Sequence, residues 1–125
     1  MAAAPLIKIK WLSDVEEHDY PAAQSYLGLL HNDARVAEIM KGLRSAPLVQ
    51  FKAKDIFRAS RLSLLGVSNS HIEKDTKKNR DGQGLAPLLL MRDEQNGVVV
   101  ITDGYHRLCA VYGFDEDALI PCKIV

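Results

Sequence analysis

Five consecutive residues, Asp103-Gly104-Tyr105-His106-Arg107, bring together a carboxylate, a side-chain-free backbone position, a phenol, an imidazole and a guanidinium. They follow the apolar run Val98 to Ile101, which reads as a buried strand, and they open a helical pattern from Tyr105 to Tyr112. A strand that passes into a helix through one glycine gathers backbone donors. The first helical turn leaves its N–H groups unpaired, and the aligned peptide dipoles place about half a positive charge there, so an anion is the natural partner. Gly104 keeps the approach clear of a Cβ atom. His106 and Arg107 add donors, and a planar guanidinium can grip two phosphate oxygens at once. A cation in the first turn opposes the dipole, so Arg107 calls for an offsetting anion or carboxylate, and Asp103 is the carboxylate at hand. Asp103 is also the candidate metal ligand and proton acceptor. The plainer alternative makes Asp103 the helix N-cap, Gly104 a turn residue and Arg107 a solvated or salt-bridged side chain.

A second group is Ser70, His71, Lys74 and Lys77, which share a face at three- and four-residue spacing on a short polar helix. That face could contact phosphates beside the glycine or simply be solvated. Ser70 and Glu73 have capping-box spacing, and Glu73 is a candidate catalytic carboxylate. Arg58 and Arg61 fall in a stretch without clear periodicity. His18, His31, His71 and His106 contain no close pair at metal-ligand spacing, so a structural zinc is not expected, whereas magnesium arriving with a nucleotide needs only one or two carboxylates such as Asp103. Trp11, Tyr20 and Tyr26 suit packing better than base stacking.

The elements that must hold these groups follow from periodicity and punctuation. Leu6 to Leu12 reads as a short strand or extended arm. Asp19 can cap a helix reaching His31-Asn32, with Pro21 near its first turn, and Asn32 or Asp33 caps a second helix that ends after Arg44, before Pro47. Strands are expected at Leu48–Ala53, Leu85–Met91, Val98–Ile101 and Ile120–Val125, with Asp55-Ile56-Phe57 beginning a turn and Asp93 to Gly97 forming a hairpin turn. Leu85–Met91 and Val98–Ile101 read as central, adjacent strands. Gly113 should end the helix that starts at Tyr105.

The 125 residues match one domain, and 47% hydrophobic residues suffice for a core. Lys plus Arg number 16 against 16 Asp plus Glu, an even balance that argues against a nucleic-acid domain recognised by bulk charge, although Lys74, Lys77, Lys78 and Arg80 crowd together. Two cysteines without C-x-x-C spacing, and no long apolar stretch, point to a reducing, cytoplasmic setting away from membranes.

The string Asp103-Gly104-Tyr105-His106-Arg107-Leu108-x-Ala110, with Gly113-Phe114 and the closing Ile120 to Val125, resembles the ParB/sulfiredoxin superfamily. The resemblance runs from about Leu48 and is strongest from Leu85 onward. It implies an α+β fold, a small mixed sheet with flanking helices, to which residues 1–47 add an arm and a helical hairpin and in which residues 48–125 form a nucleotide-binding core. It further implies a nucleotide ligand (ATP, ADP or CTP, with magnesium as companion), with Gly104, Tyr105, His106 and Arg107 at its phosphates and Ser70, Lys74 and Lys77 nearby. Asp103, His106 and Glu73 become the candidate catalytic residues of a nucleotide hydrolase, nuclease or phosphotransferase. Sulfiredoxins carry their nucleophilic Cys where this chain has Tyr105, which excludes that activity. The Asp-Gly-x-His-Arg form is similar to the free-serine-kinase branch. The alternatives are a serine-type kinase of a small metabolite, or a non-catalytic ParB-like module with a DNA or protein partner.

Overall fold

A computed structural model describes residues 9–63, 77 and 83–125. In chain order its elements are α1 (Asp19–Leu27), α2 (Asp33–Ser45), β1 (Val49–Lys52), α3 (Ala53–Ser60), β2 (Leu88–Asp93), β3 (Val98–Asp103), α4 (Tyr105–Phe114) and β4 (Leu119–Ile124). The strands form one mixed sheet in the order β1-β4-β2-β3. β1 runs antiparallel to β4, β4 parallel to β2, and β2 antiparallel to β3. The fold is thus mixed α+β with helices on both faces of the sheet, as expected from the sequence.

Strand β2 explains the layering. Its four leading residues, Leu88 to Met91, are all buried, so the sheet must be covered on both sides. Leu88 and Leu90 join Ala53, Ile56, Leu108, Val111, Ile120 and Cys122 in the core under α3 and α4. Leu89 and Met91 face the other way and meet Tyr20, Ala23, Leu27, Val36, Ile39, Met40 and Leu43 of the helical hairpin. The hairpin therefore covers β2 and its neighbours on one face of the sheet. Asn32 caps α2 by accepting from the Arg35 N–H at 2.9 Å. Lys123, on the hairpin side of β4, is buried and donates to the Tyr20 hydroxyl and the Arg44 carbonyl, each at 3.1 Å.

Several expectations are corrected. Ala53 to Phe57 is helix, not the end of a strand and a turn: β1 stops at Lys52 because Ala53 and Ile56, three residues apart, bury one helical face. Arg61 ends α3 in the left-handed conformation at φ 58°. The run from Leu85 becomes a strand only after Pro87, which has no N–H to give a ladder; Leu85 itself makes a lone parallel bridge to Trp11. β2 is interior, but β3 lies at the end of the sheet. Helix α1 stops at Leu27 rather than near His31, and His18 occupies its cap position, leaving Asp19 for other work. Gly113 sits inside α4, which continues to Phe114. Tyr20 and Trp11 pack as expected, whereas Tyr26 is exposed. Among the described residues, no helix is long and apolar enough to cross a membrane.

Candidate functional site

The junction of β3 and α4 is shaped by one irregularity. Asp103 pairs with Leu89 and Ile101 with Leu90, so β3 spends two residues where β2 spends one. Thr102 is the extra residue; its hydroxyl, buried, donates to the Leu89 carbonyl at 2.9 Å. Side chains along a strand alternate between faces, so without the bulge Asp103 would share the face of Val99 and Ile101, beneath α3 and α4. With it, Asp103 shares the face of Leu89, where α1 packs.

Gly104 then turns the chain at φ 106° and ψ 13°. A Cβ there would lie 2.8 Å from Leu88 Cγ and 3.0 Å from Arg107 Nη2, so glycine is required by conformation and by space alike. The Leu108 N–H makes the first helical bond, to the Gly104 carbonyl at 3.0 Å. The N-cap residue, Gly104, has no side chain with which to cap α4, and the first turn holds no acidic residue. The reading of Asp103 as N-cap therefore does not hold, because its carboxylate is engaged elsewhere.

Arg107 takes a different place from the one expected. Its guanidinium turns into the fold: Nη2 donates to Asp103 Oδ2 at 2.7 Å, and Nη1 donates to Asp19 Oδ2 at 3.1 Å and to the Ala86 carbonyl at 3.0 Å. It is 13% exposed, Asp19 9% and Asp103 20% by side chain, so the three charges interact in a shielded setting. Arg107 meets two carboxylates, and its charge offsets one of them; a ligand phosphate would find this guanidinium already bonded. Asp19 also faces His18, whose Nε2 lies 3.3 Å from Asp19 Oδ1.

Burial raises the Asp103 carboxyl to about 6; Arg107 works against that rise and Asp19 adds to it. Asp103 therefore exchanges its proton close to neutral pH, where a general base is most useful. Tyr105 is partly buried, packs against Cys109 and Ala110, and its phenol is pushed up by burial and by the neighbouring Cys109. Its ring stands 5.9 Å from that of His106. Burial drives the Cys122 thiol to about 12, so it is no nucleophile at neutral pH.

The structure thus brings together Asp103, Gly104, Tyr105, His106 and Arg107, and adds Asp19, which the sequence offered only as a helix cap, and Thr102, which no sequence pattern singled out. The one available hint was that Arg107 needed negative charge. Ser70, Glu73 and Lys74 lie outside the described residues, and Lys77 is exposed. Arg58 and Arg61 are exposed, away from this cluster's hydrogen bonds. No group of three His, Cys, Asp or Glu side chains able to hold a metal occurs among the described residues. An apolar cavity of about 210 Å³ between Phe51, Ile56, Leu90, Val99 and Ile124 lies on the α3 face, toward the opposite end of β3.

No protein-family model, no curated protein and no solved structure matches the chain.

Proposed function

We propose that the start of α4 binds the phosphates of a nucleotide (ATP, ADP or CTP) in a ParB/sulfiredoxin-like domain, and that Asp103 accepts a proton during hydrolysis or phosphoryl transfer. The observation that carries this reading is the α4 N-terminus directly behind a left-handed glycine that supplies no side-chain cap, with a shielded carboxylate of raised proton affinity pinned beside it. The backbone N–H groups of the first turn and the His106 imidazole would take the phosphate, while Arg107 holds Asp103 in place rather than gripping the ligand.

Charge favours a nucleotide accompanied by magnesium over a free phosphate. Asp19, Asp103 and Arg107 together carry one net negative charge, which repels an anion, and the helix terminus returns only about half a positive charge. Magnesium commonly sits on one or two carboxylates together with substrate phosphates, and Asp103 is the residue that would share it here, supplying neutralisation of the phosphate charge. The proton acceptor serves equally whether the attacking group is water or the hydroxyl of a small compound, as in a serine-type kinase.

Calorimetry with ATP, ADP and CTP, each with and without magnesium, tests the reading. Binding should require magnesium, and His106→Ala should weaken it about tenfold by removing one charge-assisted contact. Asp103→Asn should weaken the magnesium-dependent binding and lower turnover by about a hundredfold or more. Absence of binding by all three nucleotides in both conditions would overturn the proposal.

A further inference from the structure

The contact that joins the two ends of the chain's logic is the one between Asp19 and Arg107, residues 88 positions apart. Asp19 is buried to 7% exposure although it stands in the first turn of a surface helix, where an acidic side chain would ordinarily remain in water. A buried carboxylate without a partner is costly, so its presence here has to be offset, and the offset is the same guanidinium that holds Asp103. We propose that Asp19, carried by the N-terminal hairpin, is a positioning residue for the site at the start of α4, holding the Arg107 guanidinium and through it the carboxylate of Asp103. This rests on the reading of Asp103 as the proton acceptor, and it makes the hairpin part of the site rather than an appendage to a nucleotide-binding core.

The geometry gives the reason. Arg107 Nη2 reaches Asp103 while Nη1 is spread over Asp19 and the Ala86 carbonyl, so rotation about the guanidinium is blocked on both nitrogens. Without Asp19, one side is held by neutral carbonyl oxygens alone. The charged groups facing this cluster are His18, against Asp19, and Glu16, 3.6 Å from His18 Nδ1; on α4 the adjoining titratable groups are Tyr105 and His106.

The test compares wild type, Asp19→Asn and Asp19→Glu by nuclear magnetic resonance, following the Asp103 carboxyl carbon through a pH titration and the Arg107 side-chain nitrogens at fixed pH. In wild type the Arg107 Nη signals should be resolved. In Asp19→Asn they should merge, and the Asp103 midpoint should move, because a like charge leaves and the Arg107 guanidinium is no longer held against Asp103. Asp19→Glu should bring the midpoint back toward wild type because the charge is restored. A purely packing role for Asp19 would leave both signals unmoved in Asp19→Asn, and that result overturns the inference. Should Asp19→Asn not fold, the wild type carries the test: Arg107 Nη signals already merged in the folded wild-type protein would overturn the inference. Nucleotide calorimetry on the wild type separates the two ideas, since moved signals without nucleotide binding defeat the proposed function and leave the positioning role standing.

Discussion

Gly104 and Asp103 show how much a single position can decide. At φ 106° an L side chain is strained whatever its size, and a Cβ would press on Leu88; Gly104→Ala should therefore cost about 2 kcal/mol in urea denaturation. Asp103 makes a prediction about pH. Its carboxyl titrates at about 6 in the folded chain against 3.8 for the free group, so the folded state holds the proton more tightly. The stability this group contributes is fully present below about pH 4 and is lost as pH rises through about 6. Denaturation of wild type and Asp103→Asn across this range should give a difference that declines between these limits and levels off above them. A difference that does not change with pH would contradict the assignment.

At the scale of elements, the bulge in β3 governs more than any motif. One added residue, Thr102, reverses the face on which Asp103 emerges and sends it toward α1. The buried Thr102 hydroxyl fixes that bulge on the Leu89 carbonyl. Thr102→Val keeps the shape and removes the donor, so it should destabilise by about 1 to 2 kcal/mol and should also disturb the Asp103 titration, measurable by the same carboxyl resonance. An unchanged titration would mean that packing alone holds the bulge. The helical hairpin, similarly, is an element whose partner is the sheet: its apolar stripe from Tyr20 to Leu43 is matched by Leu89 and Met91.

Across the whole molecule, Arg107 ties three layers together: α4, from which it comes, α1 through Asp19, and the lead into β2 through the Ala86 carbonyl. Removing it leaves two shielded carboxylates and no cation between them. Arg107→Ala should therefore cost about 3 kcal/mol or more at pH 7. The loss should shrink at pH 5, where Asp103 takes up a proton and the repulsion with Asp19 fades. Equal losses at both pH values would mean that Arg107 acts through packing rather than charge.

The sequence determined what short-range physics can determine. Helical spacing from Val36 to Leu43, the Asn32 cap, the Asp93 to Gly97 turn and the apolar runs of β2 and β3 each depend on neighbours a few residues away. The requirement for glycine at position 104 and the offsetting of Arg107 by Asp103 were legible for the same reason, being four residues apart or fewer. Tertiary structure alone decided where Arg107 points, which face Asp103 takes, and that Asp19 closes the cluster. Those outcomes depend on a one-residue register shift between strands and on the docking of a helix from the other end of the chain. Neither leaves a period or a spacing in the sequence, because the energies that set them are summed over contacts between distant segments.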